Sequence, residues 1–431
     1  MGVSLSQARN HAEFVASIFC SFDERCRMSI ILRSFRTWWQ RPRNISERSE
    51  HRQVSFLELF YDLVYVVLIA ELTHALAAHI DLQHIAEFSF LFIITWWAWL
   101  NGTAYHDLHG NNDIRTRAFT FLQMFTVAAM AVFAHDALGE TSSGFALSYA
   151  GFQLILTFLW WRTGVHDPDH RPLSRPYALA FLITTLLFVA SVFIEPPHRF
   201  YIWIAATLIS VVLPLYLLRL GRKTPAVQTQ IELSMTVTAS LVERFGLFTI
   251  IVLGEVIVGV VHGLAGRHDL HWRAGGIGAL GMTIAFGTWW LYFDFVSHRI
   301  PRRGTMWVYL WSYAHLPVTA GIAMVGAAIV NVVEQATEPL PVEVRWLLVC
   351  AIGMVLVGIT LMIRSLRPPQ TGFEQLRRLS QMVIFLVAIV IFALGFSTLG
   401  TIPLLAAIAV LMLAPVAFGL IHWIKRIEPS S

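Results

Sequence analysis

Twelve stretches of about 20 mostly apolar residues recur along this chain. They lie near 56–79, 84–104, 117–138, 143–164, 176–195, 199–219, 240–264, 274–297, 304–330, 343–363, 379–397 and 402–424. About 20 residues is the length a helix needs to cross the hydrocarbon core of a bilayer. Only 13% of the residues are charged, against roughly 25% in an average soluble domain, so the stretches cannot all be core helices of a soluble protein. The expected fold class is all-α: a polytopic integral membrane protein of about twelve transmembrane helices.

Twelve spans make the loops alternate sides, and the arginines sort with them. One side holds Arg9 to Arg52, Arg115, Arg117, Arg162, Arg171, Arg175, Arg219, Arg222, Arg299, Arg302, Arg303, Arg364, Arg367, Arg377 and Arg378, with Lys223, Lys425 and Arg426. The other side holds Arg199, Arg267, Arg273 and Arg345. This bias places both termini in the cytoplasm and the chain in the cell inner (plasma) membrane. The net charge of +4 is therefore read as topology, with lipid bilayer as the partner and no nucleic acid. The three cysteines, Cys20, Cys26 and Cys350, are too few and too scattered for a disulfide framework or a metal cluster.

Residues 1–54 form a basic cytoplasmic arm with nine arginines and no lysine. Its Ile30, Ile31, Phe35, Trp38 and Trp39, interleaved with Arg33, Arg36, Arg41 and Arg43, suit either an interfacial helix on anionic lipid or a disordered arm. The rest divides into a first six-helix repeat (55–220), a cytoplasmic linker (221–239), a second six-helix repeat (240–425) and a short tail (426–431). The repeat rests on three matches. The helix carrying Glu58, Asp62 and Glu71 resembles the one carrying Glu243, Arg244 and Glu255. Trp96 and Trp97 with Asn101 resemble Trp289 and Trp290 with Asp294, and Gln123 stands near the offset of Tyr313 and His315. An even number of spans per unit keeps both copies parallel, with the pseudo-axis along the membrane normal.

Carboxylates in hydrocarbon are costly and usually face a partner, a cavity or a pathway. Glu58 and Asp62 are i,i+4 on one helix face, where they serve either as caps at the positive helix end or in a site. Glu71 lies about 20 Å beyond Glu58 and is rotated roughly 180° from Asp62, so it faces a different neighbour, with His74 one turn on. Arg244 cannot pair with the adjacent Glu243. Asp294 is its first expected partner, and Asp62 or Glu58 the second. Gly254, before Glu255, is expected to allow close approach of a helix or solute. His315, two residues before Pro317, relays protons or satisfies a carbonyl that the proline frees. The candidate pathway residues are thus Glu71, Glu255, His315, Asp62 and Asp294. Glu58, Glu243, Arg244 and Asn101 are expected to form a structural charge network. His106, Asp107 and His109 fall in a loop, solvated, and their spacing fits no zinc pattern.

Several of these segments resemble the bacterial low-temperature-requirement A (LtrA) family: Ser55 to Tyr65, Glu243 to Glu255, Trp289 to Asp294, and His315 to Pro317 followed by Ala320 and Gly321. The resemblance covers about residues 55–425, in the right order and spacing, and leaves the basic arm outside. It implies a multi-spanning membrane protein linked by name to growth in the cold. No phosphate-binding loop, HExxH, GxSxG or CxxC is present in the sequence, so no catalytic residue, metal or cofactor is expected. The expected function is transport of a small solute or ion, with protons as a candidate coupling ion. The alternatives are a membrane scaffold for cold adaptation and, third, an intramembrane enzyme acting on lipid.

Overall fold

The computed structural model describes residues 40–47, 52–221, 223–266, 272–334, 340–368 and 374–427. The expectations for residues 1–39 of the basic arm, and for Cys20 and Cys26, lie outside the described residues. The described residues form thirteen α-helices, one short 3-10 turn (Ile45–Glu47) and no strand. In chain order the helices are α1 (Phe56–Ala78), α2 (Leu82–His109), α3 (Ile114–Ala134), α4 (Ser142–His166), α5 (Arg171–Ser191) and α6 (His198–Gly221). They continue with α7 (Pro225–Ser234), α8 (Ala239–Ala265), α9 (Trp272–Phe295), α10 (Thr305–Glu334), α11 (Val342–Ser365), α12 (Glu374–Leu394) and α13 (Thr401–Ile427).

Twelve of these helices coincide with the twelve apolar runs. Ten of them, α3–α6 and α8–α13, are long and apolar enough to cross a membrane by length and composition. Their starts follow local chemistry. Ser55, Asp81, Asp113 and Thr238 each accept an N–H of the first turn that follows, relieving donors that the helix leaves unpaired. The thirteenth helix, α7, lies in the expected linker. Pro225 sits in its first turn, where a missing N–H costs nothing. Val227 and Ile231 bury themselves against Leu173 and Leu217, so part of the linker is docked.

The bundle is apolar on its outside as well as in its core, with scattered polar residues buried within. Phe125, Leu186, Ile389 and Val410 are more than half exposed on its outside, while Thr184, Gln123, Gln153 and Ser210 are buried inside. Such an apolar surface is unsustainable in water over many helices, and in a bilayer the lipid covers it. Within each set of six helices much of the pairing recurs, although α9 also packs closely on α13, a contact with no comparable counterpart in the first set. The first packs on the second and third, the third on the fourth, the fourth on the fifth and the fifth on the sixth, while the second touches the fourth. The two sets meet where α1 and α2 pack against α8 and α10.

Two arginines of the arginine-poor side have structural work. Buried Arg199 donates to the carbonyls of Ser191, Val192 and Ile194 at 3.0 Å each and to the Ser142 hydroxyl. It thereby closes the end of α5 and ties it to the start of α4. Arg345, at the start of α11, donates to the carbonyls of Leu399, at 2.7 Å, and Ser397 in the α12–α13 turn. These bonds satisfy backbone carbonyls at helix ends and in the turns that follow them, which explains why arginine stands there against the charge bias.

Candidate functional site

The seam between α1 and α8 carries polar groups at two levels. At the first, the Ser55-x-x-Glu58 spacing builds a capping box, which holds Glu58 within the first turn of α1. One carboxylate oxygen of Glu58 takes Ser55 N and Oγ at 2.9 Å each, and the other takes Arg52 at 2.5 Å. One turn on, Asp62 is completely buried and accepts Arg244 Nη2 at 2.6 Å, Arg244 Nε at 3.4 Å and Trp99 Nε1 at 2.8 Å. Arg244 Nη1 also stands 3.8 Å from Glu58, and its guanidinium lies 5.5 Å from the centre of the Tyr61 ring, a cation–π contact. Glu58 is thus cap and ion-pair member at once.

Trp99 is fixed in turn by Phe248, stacked at 4.0 Å, and by the edge contact of Phe245 at 4.9 Å. The cluster therefore joins α1, α2 and α8 through one carboxylate. A second tie lies nearby. Asp107 accepts the hydroxyls of Thr238, the N-cap of α8, at 2.8 Å and Ser240 at 3.0 Å. The expectation of a solvated loop for His106, Asp107 and His109 is corrected here, because α2 continues through His109 and all three are buried. His106 reaches Gln123 of α3 through Nε2 at 2.9 Å.

Further along the bundle, His315 is held at both ring nitrogens. Nδ1 donates to the Trp311 carbonyl at 2.7 Å, and Nε2 accepts from the Tyr292 hydroxyl at 3.0 Å. The Phe245 and Trp311 rings enclose it at 4.6 and 4.9 Å. At the second level, Glu255 of α8 is buried and Glu71 of α1 half-buried, within electrostatic reach of each other. Among the described residues neither carboxylate has a hydrogen-bond or ion-pair partner. His74 and His262 follow with ring centres 5.6 Å apart, and Asn331 of α10 donates to the Ala77 carbonyl at 2.8 Å.

Four expectations are corrected by this geometry. Asp294, first choice for Arg244, is exposed near the end of α9 and accepts Trp290 Nε1 at 2.5 Å; Arg244 pairs with Asp62 and Glu58 instead. Glu243 is exposed, facing away from its neighbour Arg244, and takes no part in the network. Asn101 bonds to the Trp97 carbonyl of its own helix at 2.8 Å and lines a cavity of about 100 Å³ with Tyr177 and Tyr309. Gly254 has open space where a side chain would stand, and the close approach occurs instead at Gly259, Gly263 and Gly326. The spacing Gly259-x-x-x-Gly263 is a membrane helix-packing signal that was available in the sequence. Nothing local marked Trp99 or Asp107 as partners of residues on other helices.

These features define a multi-pass, all-helical membrane protein whose halves meet across a buried ion pair and a pair of unpartnered acids. The chain belongs to the bacterial low temperature requirement A protein (LtrA) family, whose model matches residues 53–416. It is 28% identical over 308 residues to "Uncharacterized protein RA0937" of Rhizobium meliloti (strain 1021), covering 66% of this chain and 70% of that protein. No solved structure matches the chain closely enough to show its fold.

Proposed function

We propose that this LtrA-family protein moves a small ion or solute across the cell inner membrane, coupled to protons through Glu71 and Glu255. The observation that carries this reading is that those two acids, one from each half, lie within electrostatic reach of each other with no donor to neutralise either among the described residues. Isolated charges are not stably kept in hydrocarbon. A pair that can share a proton or hold a cation answers that cost. On this reading all twelve long helices span, as two parallel repeats of six, and both termini are cytoplasmic. The succession of helix-to-helix contacts that the two sets share supports the repeat. The scaffold reading draws on the other level of the seam, where Arg244, Asp62 and Glu58 satisfy one another.

Glu→Gln keeps shape and hydrogen bonding but removes the titratable charge. Glu71→Gln and Glu255→Gln should insert and fold normally and each lose tenfold or more of proton-linked flux, on the order expected for removal of a transferring group. The measurement is a pH-sensitive dye in proteoliposomes. A double Gln variant with wild-type flux rejects the proposal, as does the absence of flux from the native protein under any imposed gradient.

Orientation is tested separately, in a background lacking the native cysteines. Exposed Glu140, between α3 and α4, and exposed Thr229 on α7 are suitable sites. A cysteine at 140 should react with an impermeant maleimide from outside intact cells, and one at 229 only after lysis. The opposite pattern overturns the assignment.

A further inference from the structure

At the end of the bundle that the arginine bias assigns to the cytoplasm, a cavity of about 860 Å³ opens between the start of α1, the end of α2 and the start of α3. Arg43, Arg52 and Arg117 line it against one carboxylate, Glu58. The Glu58 oxygens are already taken up by Ser55 and Arg52, so the wall is net positive. Each guanidinium carries five N–H donors and uses few of them here. Arg43 donates one to the Asp107 carbonyl, while its Nε is buried with no partner. Exposed Arg117 donates one to Asn112 at 3.0 Å.

A second, independent feature is His106, which lines the same cavity and is only 4% exposed. Its Nε2 is engaged by Gln123 and, at 3.5 Å, Thr120, and its Nδ1 has no hydrogen-bond partner among the described residues. With Nε2–H donating to Gln123, Nδ1 is an acceptor, which suits a ligand hydroxyl. The lip of the cavity is aromatic: Phe56 is 90% exposed, Phe60 50% and Phe121 43%.

We propose that this cavity binds the head group of an anionic, hydroxylated phospholipid, with the phosphate on Arg43, Arg52 and Arg117 and the acyl chains along Phe56, Phe60 and Phe121. Guanidinium groups match phosphate oxygens in bidentate geometry, and anionic lipid is concentrated on the cytoplasmic leaflet. A free anion would use the arginines but gain nothing from an apolar lip, so the phenylalanines favour lipid. Arg52 also serves Glu58, itself 3.8 Å from Arg244, so an occupied site adjoins the ion pair of the seam.

The test is retention of lipid by the purified full-length protein in detergent, read by native mass spectrometry with phosphatidylglycerol and phosphatidylcholine as probes. Phosphatidylglycerol should be held in preference. Arg117→Glu and Phe56→Ser change exposed side chains, so the variants should fold, which a monodisperse elution profile verifies. Arg117→Glu should weaken phosphatidylglycerol retention roughly fivefold or more, the order of effect of one surface charge on anionic lipid, and Phe56→Ser should weaken it by a similar factor through lost apolar contact, about 1 kcal/mol or more. Equal retention of the two lipids, or wild-type retention by both variants, overturns the proposal. Displacement of phosphatidylglycerol by millimolar inorganic phosphate assigns the cavity to a soluble anion and overturns the lipid assignment.

Discussion

Arg244→Ala should remove most of the folded protein from the membrane. Asp62 is 0% exposed and Arg244 1%, so neither charge has water to fall back on. After the substitution Asp62 keeps only the Trp99 N–H, whereas Glu58 keeps Arg52 and Ser55. Removing one member of such a buried pair typically costs about 3–5 kcal/mol, because the other charge is stranded. Against a total stability of roughly 5–15 kcal/mol, that is enough to deplete the native state. Removing both charges together is a different experiment. Arg244→Met with Asp62→Leu fills similar volume and strands nothing on α1 or α8, so abundance should recover partly or fully. Monodisperse yield and melting temperature in detergent measure both effects. Wild-type yield for Arg244→Ala would show that the pair does not hold the seam.

Gly259→Val should separate α8 from α10 and disturb the seat of Glu255. A Cβ at Gly259 would stand 2.7 Å from the Gly326 carbonyl oxygen and 3.3 Å from Val330 Cγ2. The first contact is with backbone, which no rotamer change relieves. One turn on, a Cβ at Gly263 meets Val333 Cβ at 2.7 Å, so the glycines let the two helices touch over at least a turn. Across the same contact, Gly326 abuts the backbone of Glu255, whose oxygen would lie 3.0 Å from an added Cβ. Overpacking of this kind typically costs about 1–3 kcal/mol and sometimes more. Val brings two further methyl groups, which puts the expected loss at the upper end of that range. Gly254→Ala is the matched control on the same helix. Its Cβ meets nothing within 4 Å, and alanine is favoured over glycine in a helix interior by about 1 kcal/mol, so stability should hold or rise. Equal melting temperatures for the two variants would show that the α8–α10 contact is looser than described.

The helices were legible because hydropathy, capping residues and length act locally. Each apolar run carries its own reason to be helical in lipid, and Ser55 with Glu58, or Thr238 before α8, marks a start within four residues. The acids were legible as exceptions to those runs. Their partners were not. Arg244 and Asp62 stand 182 residues apart, and a helix presents several candidate faces whose neighbours are chosen by the packing of every other helix. Asp294 was therefore expected ahead of Asp62, whereas it lies exposed near the end of α9. Glu243 and Asn101 failed for the same reason: sequence gives their position along a helix, while the turn of that helix decides whether they meet anything.

By itself the sequence determined a multi-pass helical protein of this family, the approximate positions of its long helices, and which of its carboxylates are anomalous in hydrocarbon. These depend on the free energy of each segment in lipid, which neighbouring residues set. Only the tertiary structure decided that Asp62 and Glu58 neutralise Arg244, that α2 extends to bury His106 and Asp107, and that Glu71 and Glu255 come within electrostatic reach of each other. Those depend on the relative rotation and spacing of helices far apart in the chain. That rotation and spacing are fixed by contacts such as Gly259 on Gly326, which no single segment contains.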